Sequence, residues 1–364
     1  MRVGIVGLPN AGKSSLFNAL AKPSLASRAE MAGYPFTTVE PNVAIVPIPD
    51  QRLDRIAQTL GSAPVVHETI AFHDIAGLVR GAHAGEGLGN RFLANIRETD
   101  VILHVVRAHD DPRVVHPEGA VDPAADIETI ETELIYADLE QAERRLDRVG
   151  RQAKSGDMAV LAEEAWLREL IGALQAGRPA RSVAPPDAAP EAMRLLQPLT
   201  AKPVLYLANI GEGDPLDVPA GVAECAAAAG AGAVAVSARL EAELAELDED
   251  EAVAMRQDLG VSESGLDRVI RAAFELLDQI SFFTAGEAKE ARAHAIARGT
   301  TAWGAAGKIH SDIQRGFVRA EVVGCDALVE AGGYAGARER GALRLEGRDY
   351  RMRDGDVITV KFTP

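Results

Sequence analysis

The chain has 364 residues, 47% of them hydrophobic and 25% charged, an ordinary soluble composition with room for two or three domains. Its 54 Asp and Glu outweigh 38 Lys and Arg, and the net charge of −16 excludes a protein that coats nucleic acid or an anionic membrane non-specifically. Cys225 and Cys325 show neither metal-ligand spacing nor a disulfide framework, and no apolar run reaches the roughly 18 residues that a membrane helix needs. A cytoplasmic protein without a signal peptide is expected, since Met1 runs straight into the first strand.

Val3, Ile5 and Val6 form that strand, and Ser15 to Leu20 opens a helix. Between them stands Gly7-Leu8-Pro9-Asn10-Ala11-Gly12-Lys13-Ser14, the G-x-x-x-x-G-K-S phosphate loop. A strand, a glycine loop and a helix start aim backbone N–H groups and a helix N-terminus at an anion. Lys13 would meet the β- and γ-phosphates, and the Ser14 hydroxyl would ligate Mg²⁺. Residues 34–42, Tyr-Pro-Phe-Thr-Thr-Val-Glu-Pro-Asn, read as a loop before a strand at 43–48. A threonine here can complete a Mg²⁺ shell, or its hydroxyl can simply cap a turn.

The next strand, 69–72, runs into His73-Asp74-Ile75-Ala76-Gly77. An Asp at that place can hold Mg²⁺ through water. Leu78 follows where many GTPases carry a water-orienting glutamine, so the attacking water must be positioned otherwise. Residues 101–106 form a fourth buried strand. His104 within it reads as a core histidine. His109 and His116 lie in the loop beyond, at the ligand-binding end of an open α/β sheet, and His116 is the better candidate for acid–base work.

Residues 122–198 break the strand–helix alternation with two apolar stripes separated at Gly156, an antiparallel helical arm. A fifth strand, 203–208, leads into Asn209-Ile210-Gly211-Glu212. GTPases of this layout usually carry Asn-Lys-x-Asp here, whose Asp accepts from both guanine donors. With Glu212 in that place and no lysine, adenine is the better fit, read by backbone groups near Ile210 while Glu212 turns elsewhere. A sixth strand, 233–236, ends in Ser237-Ala238, whose backbone N–H groups could also face the base. The acidic run from Glu241 to Glu251 reads as a solvated helical face, and 265–277 as an amphipathic helix. From Ser281 the pattern becomes a small mixed sheet gripping one helix, a binding module rather than a catalytic one. Residues 281–364 hold 13 Lys and Arg against 11 Asp and Glu, net +2, which favours this segment for any RNA contact. It should be removable with nucleotide binding intact.

Together these stretches resemble the Obg-like ATPases of the YchF type, along essentially the whole chain. The resemblance is carried by residues 7–14, 34–42, 74–78 and 209–212, and toward the end by Phe-Phe-Thr-Ala-Gly (282–286), Ala-Ala-Gly-Lys-Ile-His (305–310) and Asp-Gly-Asp (354–356). It implies an α/β P-loop NTPase: a parallel-sheet G domain over 1–280, interrupted by the helical arm at 122–198, and a β-grasp TGS domain over 281–364. It further implies a Mg²⁺-dependent ATPase that works as a ribosome-associated switch in translation or stress control. A GTPase of ribosome assembly and a nucleotide-stabilised RNA-binding scaffold are the alternatives. Asn10, Ala11, Gly12, Lys13, Ser14 and Ser15 would hold the phosphates, and Ser14 and Thr38 the Mg²⁺ with Asp74 through water. Asn209, Ile210, Glu212, Ser237 and Ala238 would surround the base, with Lys13 and His116 as catalytic groups. Asn10 occupies a place that binds K⁺ in some related NTPases. Thr37 departs from the cysteine of some relatives. The partners implied are ATP and the ribosome, as large subunit or 70S, with RNA contacts through the TGS domain and arm. No membrane is involved, and a monomer is expected.

Overall fold

The computed structural model describes residues 1–30, 42–75, 88–261 and 263–363. Thr37, Thr38 and Leu78 lie outside the described residues. In chain order the elements are β1 (Arg2–Val6), α1 (Lys13–Glu30), β2 (Val43–Pro47), α2 (Gln51–Leu60), β3 (Val65–Val66), β4 (Thr69–Asp74), α3 (Leu88–Arg97), β5 (Val101–Arg107), α4 (Pro123–Gln152), α5 (Met158–Gln175), α6 (Ala192–Leu196), β6 (Val204–Asn209), α7 (Ala220–Ala229), β7 (Gly232–Val236), α8 (Ala238–Leu244), α9 (Glu249–Asp258) and α10 (Gly265–Glu275). There follow β8 (Gln279–Thr284), β9 (Ala291–Ala297), α11 (Ala302–Ile309), α12 (Ser311–Arg315), β10 (Phe317–Gly324), α13 (Cys325–Glu330), α14 (Tyr334–Glu339), β11 (Arg344–Glu346) and β12 (Asp356–Phe362).

The chain divides into two units, Met1–Val46 with Ala71–Ala273, and Pro47–Ile70 with Phe274–Pro364. The first holds a six-stranded sheet ordered β2-β4-β1-β5-β6-β7. β1 runs parallel to both β4 and β5, and β5–β6 and β6–β7 are parallel as well. All seven residues of β5 are buried, as a central parallel strand covered on both faces should be. The arm forms as expected. Asp122 caps α4 by accepting from the Ala125 N–H, with Pro123 at the first helical position, and Asp157 caps α5. Trp166, Leu167, Leu170 and Leu174 of α5 bury against Ile135, Ala142 and Val149 of α4, so the arm has a core of its own.

The second unit corrects the expected boundary at 280/281. Residues 47–70 belong with the C-terminal segment, because α2 has its apolar stripe there. Asp50 caps α2 and Gly61 closes it in a left-handed conformation. Its Leu53, Ile56, Ala57 and Leu60 are buried among Phe283, Val323, Leu328 and Val357. The Glu68 carboxylate accepts from the Ala295 N–H at 2.9 Å, and β3 pairs in parallel with β9. The sheet here is ordered β11-β10-β12-β8-β9-β3. It grips α11 through Phe282, Ile296, Ala302, Ala305 and Ala306, but its other face is also covered, by α2, α13 and α14. Counted over this whole unit, 15 Lys and Arg face 16 Asp and Glu, so the excess of basic residues after 280 disappears.

Glu241 departs from the solvated face expected of residues 241–251. It is 5% exposed and accepts the Gly265 N–H at 2.8 Å, capping α10. Burial pushes its carboxyl up, against the pull of the Gly265 and Leu266 N–H groups.

Candidate nucleotide site

The turn from β1 to α1 lies at the C-terminal end of the central strands, where open α/β sheets bind ligands. Its shape leaves no choice of residue at two positions. Gly7 has φ +153°, and a Cβ there would stand 2.3 Å from the Val105 carbonyl oxygen of β5. Gly12 has φ +86°, and a Cβ there would meet Nδ2 of Asn209 at 2.1 Å. Asn10 also takes a left-handed conformation, φ +64°, which asparagine tolerates better than most residues. The Lys13 ammonium donates to the Gly7 and Leu8 carbonyls at 3.2 and 3.1 Å, curling over the loop. Burial draws its pKa down and the charge of Asp74 opposes this. Burial pushes the Asp74 carboxyl up, opposed by Lys13. Asp74 ends β4 beside Ile5 of β1, and its Oδ1 is buried without a hydrogen-bond partner among the described residues. Ser14 and Ser15 are exposed at the start of α1. An orphaned carboxylate oxygen opposite a lysine, with a free hydroxyl nearby in sequence, is a donor set that suits a hydrated Mg²⁺.

Asn209 joins the phosphate loop to the expected base site. Its Nδ2 donates to the Ala11 carbonyl at 2.9 Å, and its Oδ1 accepts from the Ala238 N–H at 3.0 Å. The Asn209 backbone carbonyl accepts from the Ala108 N–H and takes the Nδ1 of His109 at 2.9 Å. Ala238 therefore spends its N–H on Asn209 rather than on a base, and the Ser237 hydroxyl caps α8 by accepting from Leu240 N–H. This corrects the expectation that Ser237-Ala238 aims its N–H groups at the base, at least for Ala238. The Ile210 N–H goes to the Val236 carbonyl and the Gly211 N–H to Asp214 Oδ2. What remains at this position is the Ile210 carbonyl, which accepts no hydrogen bond among the described residues. Glu212 turns away to Arg239, 2.6 Å from its Nε, as its extra methylene suggests.

The loop after β5 forms a second wall. Arg107, 1% exposed, donates to the carbonyls of His109, Asp111 and Val114 and so shapes the loop from within. Sequence reasoning missed it; the only signal was an arginine closing an otherwise apolar strand. The Asn10 Nδ2 donates to the Val115 carbonyl at 3.0 Å, which fastens this wall to the phosphate loop. The next residue, His116, is 7% exposed and lies 3.0 Å through Nε2 from Asp126 Oδ2 in the first turn of α4. Its Nδ1 accepts from the Glu118 N–H at 3.3 Å, which assigns the ring proton to Nε2. Burial pushes Asp126 up and the His116 bond opposes it. His104 is a core residue, as expected, but its Nε2 has no hydrogen-bond partner among the described residues, and burial brings its pKa down to about 3.

Residues 2–141 match the family described as 50S ribosome-binding GTPase, and residues 279–363 match the YchF-GTPase C-terminal family, described as a protein of unknown function. The chain is 48% identical over 363 residues to the ribosome-binding ATPase YchF of Haemophilus ducreyi, covering 99% of each. It is 45% identical to the protein of the same name from Bacillus subtilis, covering 100% of this chain and 99% of that one. This chain belongs to the YchF family. The solved structure described as the YchF GTPase of Schizosaccharomyces pombe superposes with a TM-score of 0.86 at 33% identity, over 99% of this chain and 97% of that one. The P-loop fold with its arm and C-terminal sheet is thus the YchF fold. No helix among the described residues is long and apolar enough to cross a membrane.

Proposed function

We propose that this YchF-family chain is a cytoplasmic, ribosome-associated nucleotide hydrolase that prefers ATP and acts as a switch. The observation that carries the hydrolase reading is the Gly7–Ser14 loop with Lys13 folded over it and the orphaned Asp74 oxygen opposite. Loop N–H groups and Lys13 would hold the phosphates and neutralise the charge that grows as the terminal phosphoryl group leaves. Ser14, Thr38 and Asp74 are the residues that would hold Mg²⁺, and the ion would supply positive charge to offset the negative charge of the phosphates. Asn10 keeps its Oδ1 free of hydrogen bonds among the described residues, and that oxygen is where K⁺ would bind.

His116 suits the task that Leu78 cannot perform. Asp126 holds its Nε2–H, leaving Nδ1 as the acceptor for a water proton once the long 3.3 Å bond from Glu118 gives way. ATP preference rests on Ile210. Its free carbonyl is an acceptor, which matches the exocyclic amino group of adenine and opposes the corresponding carbonyl of guanine. The names of the bacterial relatives support ATP and ribosome binding. The name of the fission yeast structure supports the second reading, a GTPase. Titration with labelled ATP and GTP decides between them. At least tenfold tighter ATP binding, about 1.4 kcal/mol, is expected, and the reverse preference overturns the ATP reading. Co-sedimentation of the chain with ribosomes tests the association.

A further inference from the structure

The arm is electrically divided along its length. From Pro123 to Glu143, α4 carries seven Asp and Glu and no Lys or Arg. From Arg144 to Lys154, two residues past the end of α4, the chain carries five Lys and Arg against Asp147 alone. Arg144, Arg148 and Arg151 stand at i, i+4 and i+7, one row on the helix surface, and Lys154 follows just past the end of α4. All four are exposed. Arg144 is drawn to Glu140 at 2.6 Å and Arg145, off the row, to Glu163 at 2.7 Å. Arg148, Arg151 and Lys154 form no ion pair among the described residues. The return helix α5 begins with Met158 75% and Leu161 40% exposed, so apolar surface is also bare at this end of the arm.

Arg148, Arg151 and Lys154 stand together at the far end of α4, the longest helix among the described residues. Cations near a helix C-terminus complement the macrodipole, but that effect does not require an exposed row without partners. We propose that the row Arg144, Arg148, Arg151 and Lys154 is an RNA-docking surface that grips the phosphate backbone of ribosomal RNA. Guanidinium groups bind phosphate with two donors at once and need no base sequence, as a fixed docking point on a folded RNA requires. The acidic proximal two-thirds of α4 repels phosphate, so contact is confined to the distal end. At 1.5 Å per residue, Arg148 lies about 33 Å along α4 from Asp126, far from the nucleotide site. The inference rests on the ribosome-association reading and specifies its contact.

The test is co-sedimentation of the full chain with 70S ribosomes over about 50–300 mM KCl. The triple variant Arg148→Ala/Arg151→Ala/Lys154→Ala is compared with wild type and with the charge-conserving pair Arg148→Lys/Arg151→Lys. Each lost phosphate contact should reduce the slope of log K against log salt by about 0.7–0.9, so the triple variant should flatten it by about 2–3. The lysine pair should keep most of the wild-type slope, and basal ATP hydrolysis and melting temperature should stay unchanged in both. A triple variant that binds with the wild-type slope overturns the proposal. So does wild-type binding to phosphatidylserine-containing vesicles that exceeds ribosome binding at the same salt, which would assign the row to a membrane. If wild type fails to sediment with ribosomes, the association reading falls by itself. Naked duplex RNA then decides the row, and an equal slope for wild type and triple variant on RNA refutes it.

Discussion

Cutting the chain before Gln279 should do more than remove a C-terminal module. Residues 47–70 belong to that unit, and α2 buries Leu53, Ile56 and Leu60 at 0%, 0% and 7% exposure in its core. Returning three such side chains to water costs about 5–9 kcal/mol at roughly 1.5–3 kcal/mol each, an upper figure because denatured chains already hide some apolar surface. That is comparable with the whole stability of a domain, about 5–15 kcal/mol. Nor can the ten residues of α2 persist as a helix without a partner. β2 and β4 would then flank a sticky, unfolded loop, and β4 ends in Asp74. The truncation at Asp278 is expected to expose apolar surface, to aggregate, and to bind Mg-ATP more weakly than the full chain. A second truncation, in which residues 48–68 are replaced by a short Gly/Ser linker, should recover a monodisperse protein and much of the nucleotide affinity. Size-exclusion chromatography, thermal melting and an ATP titration read the three chains together. If the simple truncation matches the full chain in melting temperature and ATP affinity, the assignment of α2 to the C-terminal unit is wrong.

Four further outcomes follow from single side chains. Asn209→Ala leaves the Ala11 carbonyl and the Ala238 N–H without partners; at about 1–3 kcal/mol for each, ATP affinity should fall tenfold or more, with a lower melting temperature. Gly12→Ala, whose Cβ would overlap Asn209 Nδ2, should abolish nucleotide binding measured by the same titration. His116→Ala should lower kcat by about 10²-fold or more with ATP affinity nearly unchanged, and Asp126→Asn should lower kcat by a smaller factor, as measured by steady-state hydrolysis. His294, stacked on Phe282, is held by burial at about 4 against an ordinary 6.5. Its folded-state pKa is depressed, so the unfolded chain binds the extra proton between these values, and its contribution is present above pH 6.5 and lost as pH falls toward 4. Denaturant unfolding should show a loss of about 2 kcal/mol from this group between pH 7 and pH 5, which His294→Gln should remove.

What the letters revealed and what they hid divide along a physical line. The phosphate loop was legible because its spacing admits one backbone path: Gly7 and Gly12 sit where a Cβ would strike Val105 and Asn209. The arm was legible because two helices that bury a stripe against each other leave that stripe in the sequence. The α2 helix wrote the same signal, with Asp50 as cap, apolar residues at 53, 56, 57 and 60, and Gly61 as stop. A stripe announces that something covers it, not what, and the cover lies over 200 residues downstream in Phe283, Val323 and Val357. Arg107 and Asn209 were harder still, since a polar residue ending a buried strand reads the same whether it meets a ligand or ties loops together. In the fold Asn209 ties the Ala11 carbonyl of the phosphate loop to Ala238, while its own carbonyl holds His109 of the loop that Asn10 grips through Val115. Ile210, the residue proposed to read the base, is the next one along the chain. The acceptor proposed to select the base and the loop proposed to hold the phosphates are therefore tied together by one side chain and its own backbone. Selectivity for adenine and affinity for triphosphate should fall together when Asn209 is changed, rather than one being tuned without the other.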